Sequence, residues 1–235
     1  MAREIALHEP ELVKFPRTPH LLWLGEGLPR GDKMLSPEEA ATLMRKPAAA
    51  EEKVDGANVG LSVGPDGRIR AQSRGGYLSR ASHEQFRPLW RWLASHEDLL
   101  RNVLGEDLIL FGEWCYARHT VEYDALPDWL LAFDVYDRGH GRFWSRERRD
   151  TLFGRARLTP VPVLATGLFD RARIEQLMGQ SRVGSTKMEG IYLRWDDGDW
   201  LVHRAKVVRR GWVLADEPHW SRRTVQPNRL QEHRP

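Results

Sequence analysis

Two glycine-containing turns constrain the fold of this chain more than any other feature. Gly64-Pro65-Asp66-Gly67 separates residues 51–63 from residues 68–73, and Asp196-Asp197-Gly198-Asp199 separates residues 189–195 from residues 200–208. Turn formers between short strand-like runs fold them into antiparallel hairpins. Residues 107–116, 129–137 and 161–164 are further strand candidates. Helices fall between them. Ser36-Pro37-Glu38-Glu39 is a helix start, with Ser36 as cap, Pro37 in the first turn and Glu39 completing a capping box; this helix runs to about Arg45. Phe86, Leu89, Trp90 and Leu93 recur at helical spacing, so residues 84–96 form an amphipathic helix, with a shorter one over 97–104. Residues 146–157, capped by Ser145, and residues 170–179 complete the helices. Pro10, Pro16, Pro19 and Pro29 interrupt any long element before residue 35. Strands that come as hairpins and meanders, without regular strand–helix alternation, place the chain in the α+β class with largely antiparallel sheets. No repeat, low-complexity tract or linker divides it, so one domain over residues 1–235 is expected.

Cys115 is the only cysteine, which excludes an intrachain disulfide and a cysteine-based zinc site and favours a reducing cytoplasm. No apolar run approaches the ~20 residues that span a bilayer, so no membrane partner is expected. The net charge is +3, and the basic residues are mostly arginine, whose planar fork suits phosphate. Residues 201–235 hold eight basic residues (Arg204, Lys206, Arg209, Arg210, Arg222, Arg223, Arg229 and Arg234) against Asp216, Glu217 and Glu232. The basic extension over 209–235 is suited to a phosphate backbone, or else it is a solvated surface. His219-Trp220 and Asn228-Arg229-Leu230 are expected to dock this tail.

The stretch that points to chemistry is Lys53-Val54-Asp55-Gly56-Ala57-Asn58. A lysine amine titrates near ~10.4 and attacks only once deprotonated. Burial or a neighbouring cation favours the neutral amine. Five more segments follow in order: Ser73-Arg74-Gly75-Gly76, Leu110-Phe111-Gly112-Glu113-Trp114, Ala132-Phe133-Asp134-Val135-Tyr136-Asp137, Met188-Glu189-Gly190-Ile191 and His203-Arg204-Ala205-Lys206. Singly each is ordinary: a turn glutamate, a charged strand face, an apolar core run. The six together, each on an expected strand or its end, resemble the nucleotidyltransferase motifs I, Ia, III, IIIa, IV and V of the ATP-dependent RNA ligases, members of the covalent nucleotidyltransferase superfamily. The flanking Lys14–Leu21 and Tyr116–His119 segments also look like parts of small RNA ligase family proteins. In DNA ligases and capping enzymes the position of Asn58 is usually arginine, so Asn58 favours the RNA branch.

The resemblance implies an ATP-grasp-like ligase adenylation domain: antiparallel sheets flanked by helices. It implies the following roles. Lys53 attacks the α-phosphate of ATP and forms lysyl-AMP; Asp55 and Gly56 shape its turn. Asn58 seats the RNA end or the nucleotide. Arg74 binds the phosphate in transfer. Glu113 binds the ribose hydroxyls and, with Glu189, is a candidate metal ligand. Phe133 stacks on adenine. Arg204 and Lys206 clamp the α-phosphate; a metal, or this cationic pair near Lys53, would also lower the pKa of its amine. Mg2+ (or Mn2+) and ATP are the implied cofactors, and RNA with 5′-phosphate and 3′-hydroxyl ends is the implied partner, prepared by an end-processing kinase-phosphatase. Two features depart from the pattern. Arg204 stands where motif V usually has lysine. Only 27 residues follow Val208, so no OB-fold is expected. The alternatives are sealing of DNA or RNA–DNA hybrid nicks, and a nucleotide- or RNA-binding module that does not seal. His119 and His203 lie beside motifs and either touch substrate or sit at the surface or core edge. Asp134 and Asp137 form either a metal pair or a strand-end turn.

Overall fold

A computed structural model describes residues 11–25, 33–211 and 224–232. Pro10, Pro29, His219-Trp220, Arg222, Arg223 and Arg234 lie outside the described residues. The larger sheet is built from β2 (Ala57–Val63), β3 (Ile69–Gln72), β4 (Leu108–Trp114), β5 (Leu130–Asp137) and β6 (Arg142–Phe143) in the order β3-β2-β4-β5-β6, with β7 (Thr159–Pro160) parallel beside β5. The smaller sheet has the order β10-β9-β1-β8, from β1 (Ala48–Lys53), β8 (Val163–Gly167), β9 (Gly190–Asp197) and β10 (Trp200–Val208). Apart from β5–β7, every strand pair is antiparallel, and both expected hairpins are present as β2–β3 and β9–β10. The α+β class with antiparallel sheets and flanking helices is therefore observed.

Each sheet has its own apolar face. Val59, Leu61, Leu110 and Val135 of the larger sheet pack under α2 (Arg87–Leu104) and α3 (Arg146–Ala156), through Leu89, Leu93, Leu100, Leu152 and Phe153. Ala50, Ile191, Leu193, Ala205 and Val207 of the smaller sheet pack under α1 (Pro37–Met44) and α4 (Arg171–Leu177), through Leu43 and Ile174. Because side chains alternate along a strand, the opposite face of the smaller sheet carries Glu51, Lys53, Arg194, Arg204 and Lys206. Arg194 and Arg204 of that face bond Asp134 of the larger sheet.

The structure corrects three boundaries. Residues 51–63 are not one strand: β1 ends at Lys53 in one sheet and β2 starts at Ala57 in the other. Asp55 holds the crossover, its Oδ2 accepting from Thr120 N at 2.7 Å and Val121 N at 2.9 Å. Residues 161–164 likewise straddle the sheets, since Val161 N donates to Ala132 O of β5 while Pro162 O accepts from Glu52 N of β1 and Val163 onward pairs with β1. The helices over 84–96 and 97–104 are one: after a 3-10 turn at Glu84–Phe86, α2 runs unbroken until Gly105, which adopts φ 53°. Nothing between Pro88 and Gly105 breaks it.

The capping box of α1 is present, with Ser36 Oγ accepting from Glu39 N at 3.1 Å and Ser36 N donating to Glu39 Oε2 at 2.8 Å. Ser36→Ala is expected to cost about 1 kcal/mol, read as a lower urea midpoint at unchanged slope.

Candidate active site

The site forms where the chain leaves the smaller sheet for the larger. Lys53, the last residue of β1, pairs with Gly190 at the start of β9. A Cβ on Gly190 would collide with Val207 O and lie 2.9 Å from Val208 Cα, so only glycine lets β10 close against β9 here. The preceding residue, Glu189, is thereby held beside the lysine: Glu189 Oε1 is 2.5 Å from Lys53 Nζ. Gly56 donates its N–H to Glu113 Oε1 at 3.1 Å, and a Cβ there would lie 2.6 Å from Trp114 O. The β2–β4 register then sets Asn58 directly opposite Glu113. Asp55 donates its N–H to Tyr123 Oη at 2.7 Å.

Lys206 comes from β10, two residues beyond Arg204 on the same face. Both of its backbone groups are fixed by the N-terminal segment, with Lys206 N donating to Pro19 O and Lys206 O accepting from Leu21 N, each at 2.9 Å. That segment also brings Phe15 to within 5.2 Å of the Phe133 ring, edge-on. Phe133 is the extra residue of a β-bulge, since Ala132 and Asp134 pair with the adjacent Gly112 and Phe111. Bulges re-aim side chains and are common beside active sites. Arg74 is exposed in the turn after β3.

The electrostatics tie most of these groups together. Burial lowers the Lys53 pKa, but the carboxylates of Glu189, Glu113 and Asp55 outweigh it and hold the amine above its ordinary value. This corrects the expectation that an Arg204–Lys206 pair depresses it. Arg204 instead donates to Asp134 Oδ2 at 3.0 Å and lies over the Phe143 ring at 3.9 Å, so its charge is committed elsewhere. Burial pushes Glu113 up to about 8; Lys53 and Arg74 pull it down, Glu189 and Asp55 push it further up. Burial pushes Glu189 up to about 7 against the pull of Lys53 and Lys206. Lys53, Asp55, Arg74, Glu113, Glu189 and Lys206 therefore share one field, and Arg204 stands outside it.

Among the described residues, no group of three His, Cys, Asp or Glu side chains is placed to hold a metal by itself. The donor set still fits a hard cation that arrives with phosphates. Glu189 Oε2 is buried without a hydrogen-bond partner, and Mg2+ commonly binds through one or two carboxylates plus substrate phosphate.

Other expectations resolve structurally. His119 is buried, with Nε2 3.0 Å from Gln85 Oε1, a core-edge residue. His203 is exposed on β10. Asp137 makes the strand-end turn, accepting from His140 N and Trp144 Nε1. Asp134 is fully buried among Arg149, Arg194 and Arg204 and holds ion pairs. Sequence reasoning did not find Tyr123 or the buried arginines. The signal for Arg149 was present: it heads the buried α3 stripe of positions 149, 152, 153 and 156.

Glu113 gives a test with a definite sign. Its folded pKa, about 8, lies above its ordinary 4.5. Between those values the unfolded chain releases the proton first, so stability falls as pH rises. In EDTA, the melting temperature is expected to fall between pH 5 and 8. Glu113→Gln is expected to flatten that slope and to lose nucleotide transfer. Identical slopes by scanning calorimetry would contradict the burial of this carboxyl.

The RNA ligase family profile matches residues 46–208, and the chain belongs to that family. Its fold is similar to solved Naegleria gruberi RNA ligase structures. A variant with ATP and Mn superposes with a TM-score of 0.61 at 16% identity, covering 86% of this chain and 58% of that one. The same ligase with PPi gives 0.61 at 16%, covering 88% and 61%. Another variant, with AMP and Mn, gives 0.58 at 14%, covering 86% and 58%. The chain thus spans about three fifths of the length of those proteins. No curated protein matches it.

Proposed function

We propose that this chain is an ATP-dependent RNA ligase that seals a 5′-phosphate to a 3′-hydroxyl through a lysyl-AMP intermediate. The observation that carries the reading is Lys53 at the sheet crossing, in contact with Glu189 and bracketed by Glu113 and Asp55. In the first step Lys53 Nζ loses a proton and forms a bond to the α-phosphorus of ATP, while the bond to the β-phosphate oxygen breaks and pyrophosphate leaves. Glu189 Oε1 touches the amine and is the acceptor that proton meets first. Its partnerless Oε2 leaves the same carboxylate free to meet a cation. A bound Mg2+ or Mn2+ would offset phosphate charge. In the second step the RNA 5′-phosphate takes AMP from Lys53; in the third a 3′-hydroxyl displaces AMP and the phosphodiester forms.

Positioning and charge neutralisation dominate such transfers. Lys206 and Arg74, which act on Glu189 and Glu113, supply the positive field. Glu113 and Asn58 face the ribose or RNA end, and Phe133 presents a ring to adenine. ATP and Mn in the Naegleria ligase structures support the same cofactors here. Substrate ends of this kind call for a kinase-phosphatase that prepares them, and ATP with a lone buried thiol suits the cytoplasm.

The test is a sealing panel. With ATP and Mg2+ or Mn2+, RNA carrying 5′-phosphate and 3′-hydroxyl ends is expected to be joined faster than DNA. Preferential joining of DNA or hybrid nicks would support the alternative ligase, and ATP binding without joining would indicate a non-sealing module.

A further inference from the structure

The backbone of the described C-terminal segment is docked on the rest of the chain. Residues 224–232 are laid along the 115–126 loop, and Asn228, 3% exposed, is the centre of the contact. Its Oδ1 accepts from Tyr123 N at 2.9 Å, its Nδ2 donates to Cys115 O at 2.8 Å, and its own N–H donates to Tyr116 O at 2.8 Å. Tyr123 O accepts from Arg229 N at 2.9 Å, so both backbone groups of Tyr123 are bound by this one segment. The loop pairs with no strand of its own over residues 116–126, and buried backbone groups require partners.

The same loop holds the nucleophile's turn. Tyr123, fully buried, accepts the Asp55 N–H on its hydroxyl, and Thr120 and Val121 donate their amides to the Asp55 carboxylate. Asp55 lies two residues from Lys53 and fixes the crossover that aims it.

We propose that residues 224–232 are a clasp that sets the geometry of the Lys53 turn, with Asn228 as a positioning residue acting through Tyr123 on Asp55. The inference deepens the lysyl-AMP reading and rests on it for its kinetic consequence. Asn228 is buried against the loop; it fixes the loop that fixes Asp55. The clasp thereby makes adenylation depend on a segment far downstream in sequence.

The full chain is used for the test. Tyr123→Phe keeps the ring in the core and removes only the acceptor for Asp55 N–H. Loss of that bond is expected to slow adenylation at saturating ATP about tenfold, with the KM for ATP little changed. Asn228→Ala is expected to do the same, and the double variant to lose no more than either single one, because both break one relay. Hydrogen exchange of the Thr120 and Val121 amides is expected to quicken in Asn228→Ala whether or not the chain adenylates. If wild type does not adenylate, the ligase reading fails, and the exchange result still decides the clasp. Unchanged exchange at these amides, or multiplicative losses in the double variant, would overturn the proposal. If Asn228→Ala does not fold, Asn228→Ser is read by the same two measurements and the same criteria.

Discussion

Lys53→Ala is expected to reduce covalent attachment of AMP to background, a loss of at least about 10³-fold, with the fold retained. Removing the cation that pairs with a buried carboxylate often unfolds a protein, because it leaves that anion unpaired. Here that penalty is limited. Burial already pushes Glu189 up to about 7 and Glu113 up to about 8, and Lys53 is the largest of the charges holding both down. Without it, both carboxyls move further up, so Glu113 stays neutral and Glu189 becomes so at neutral pH. Lys53→Arg separates charge from nucleophile: the guanidinium can hold Glu189 but has no free lone pair, so no AMP is expected to attach. Thermal unfolding of both variants, measured beside the labelling, distinguishes loss of chemistry from loss of fold.

Asp134→Ala is expected to cost roughly 3–5 kcal/mol of stability, the largest effect of any single change away from the lysine. Asp134 is fully buried in β5, with Arg194 Nη1 at 2.9 Å, Arg204 Nη1 at 3.0 Å and Arg149 Nη1 at 3.8 Å. Glu51 is the second fully buried anion of the cluster; it pairs closely with Arg149 and lies 3.9 Å from Arg194 Nη1. Burial lowers the Arg194 pKa, but Asp134 and Glu51 outweigh it, so the guanidinium stays charged. Asp134 and Glu51 between the sheets, with Asp150 on Arg149 and Asp196 on Arg194 at the rim, thus balance three arginines drawn from β9, β10 and α3, and the cluster bolts one sheet to the other. Without Asp134, Arg194 and Arg204 lose their closest carboxylate, and Arg149 and Arg194 fall back on Glu51 and the rim carboxylates Asp150 and Asp196. A urea titration is expected to show the loss as a lower midpoint at unchanged slope; an unchanged midpoint would mean that the cluster contributes nothing net.

The elements that follow local rules were legible in the sequence. Gly-containing turns fixed both hairpins, Ser36 and Ser145 fixed two helix starts, and the pattern gave the α+β class. Local rules do not say which sheet a strand joins. Val54 and Ala57 continue the apolar pattern of residues 51–63, so nothing nearby marks the change of sheet at Asp55; the groups that hold it, Thr120, Val121 and Tyr123, lie more than sixty residues away. The site was legible as a set of residues from the ordered motifs, and the structure gathers Lys53, Asp55, Arg74, Glu113, Glu189 and Lys206 into one field. The sign of the Lys53 shift was not legible. It depends on whether Arg204 or Glu189 is nearer the amine, and Arg204 is drawn off by an aspartate in the other sheet. The tail's role was hidden for the same reason: basic composition suggests RNA, whereas an asparagine's paired hydrogen bonds appear only once the loop is in place.

The most direct measurement is mass spectrometry of the protein after incubation with ATP and Mg2+, with the adduct mapped by digestion. AMP is expected on Lys53 alone, removed when pyrophosphate is added back. No adduct, or an adduct on another residue such as Lys206, would contradict the account.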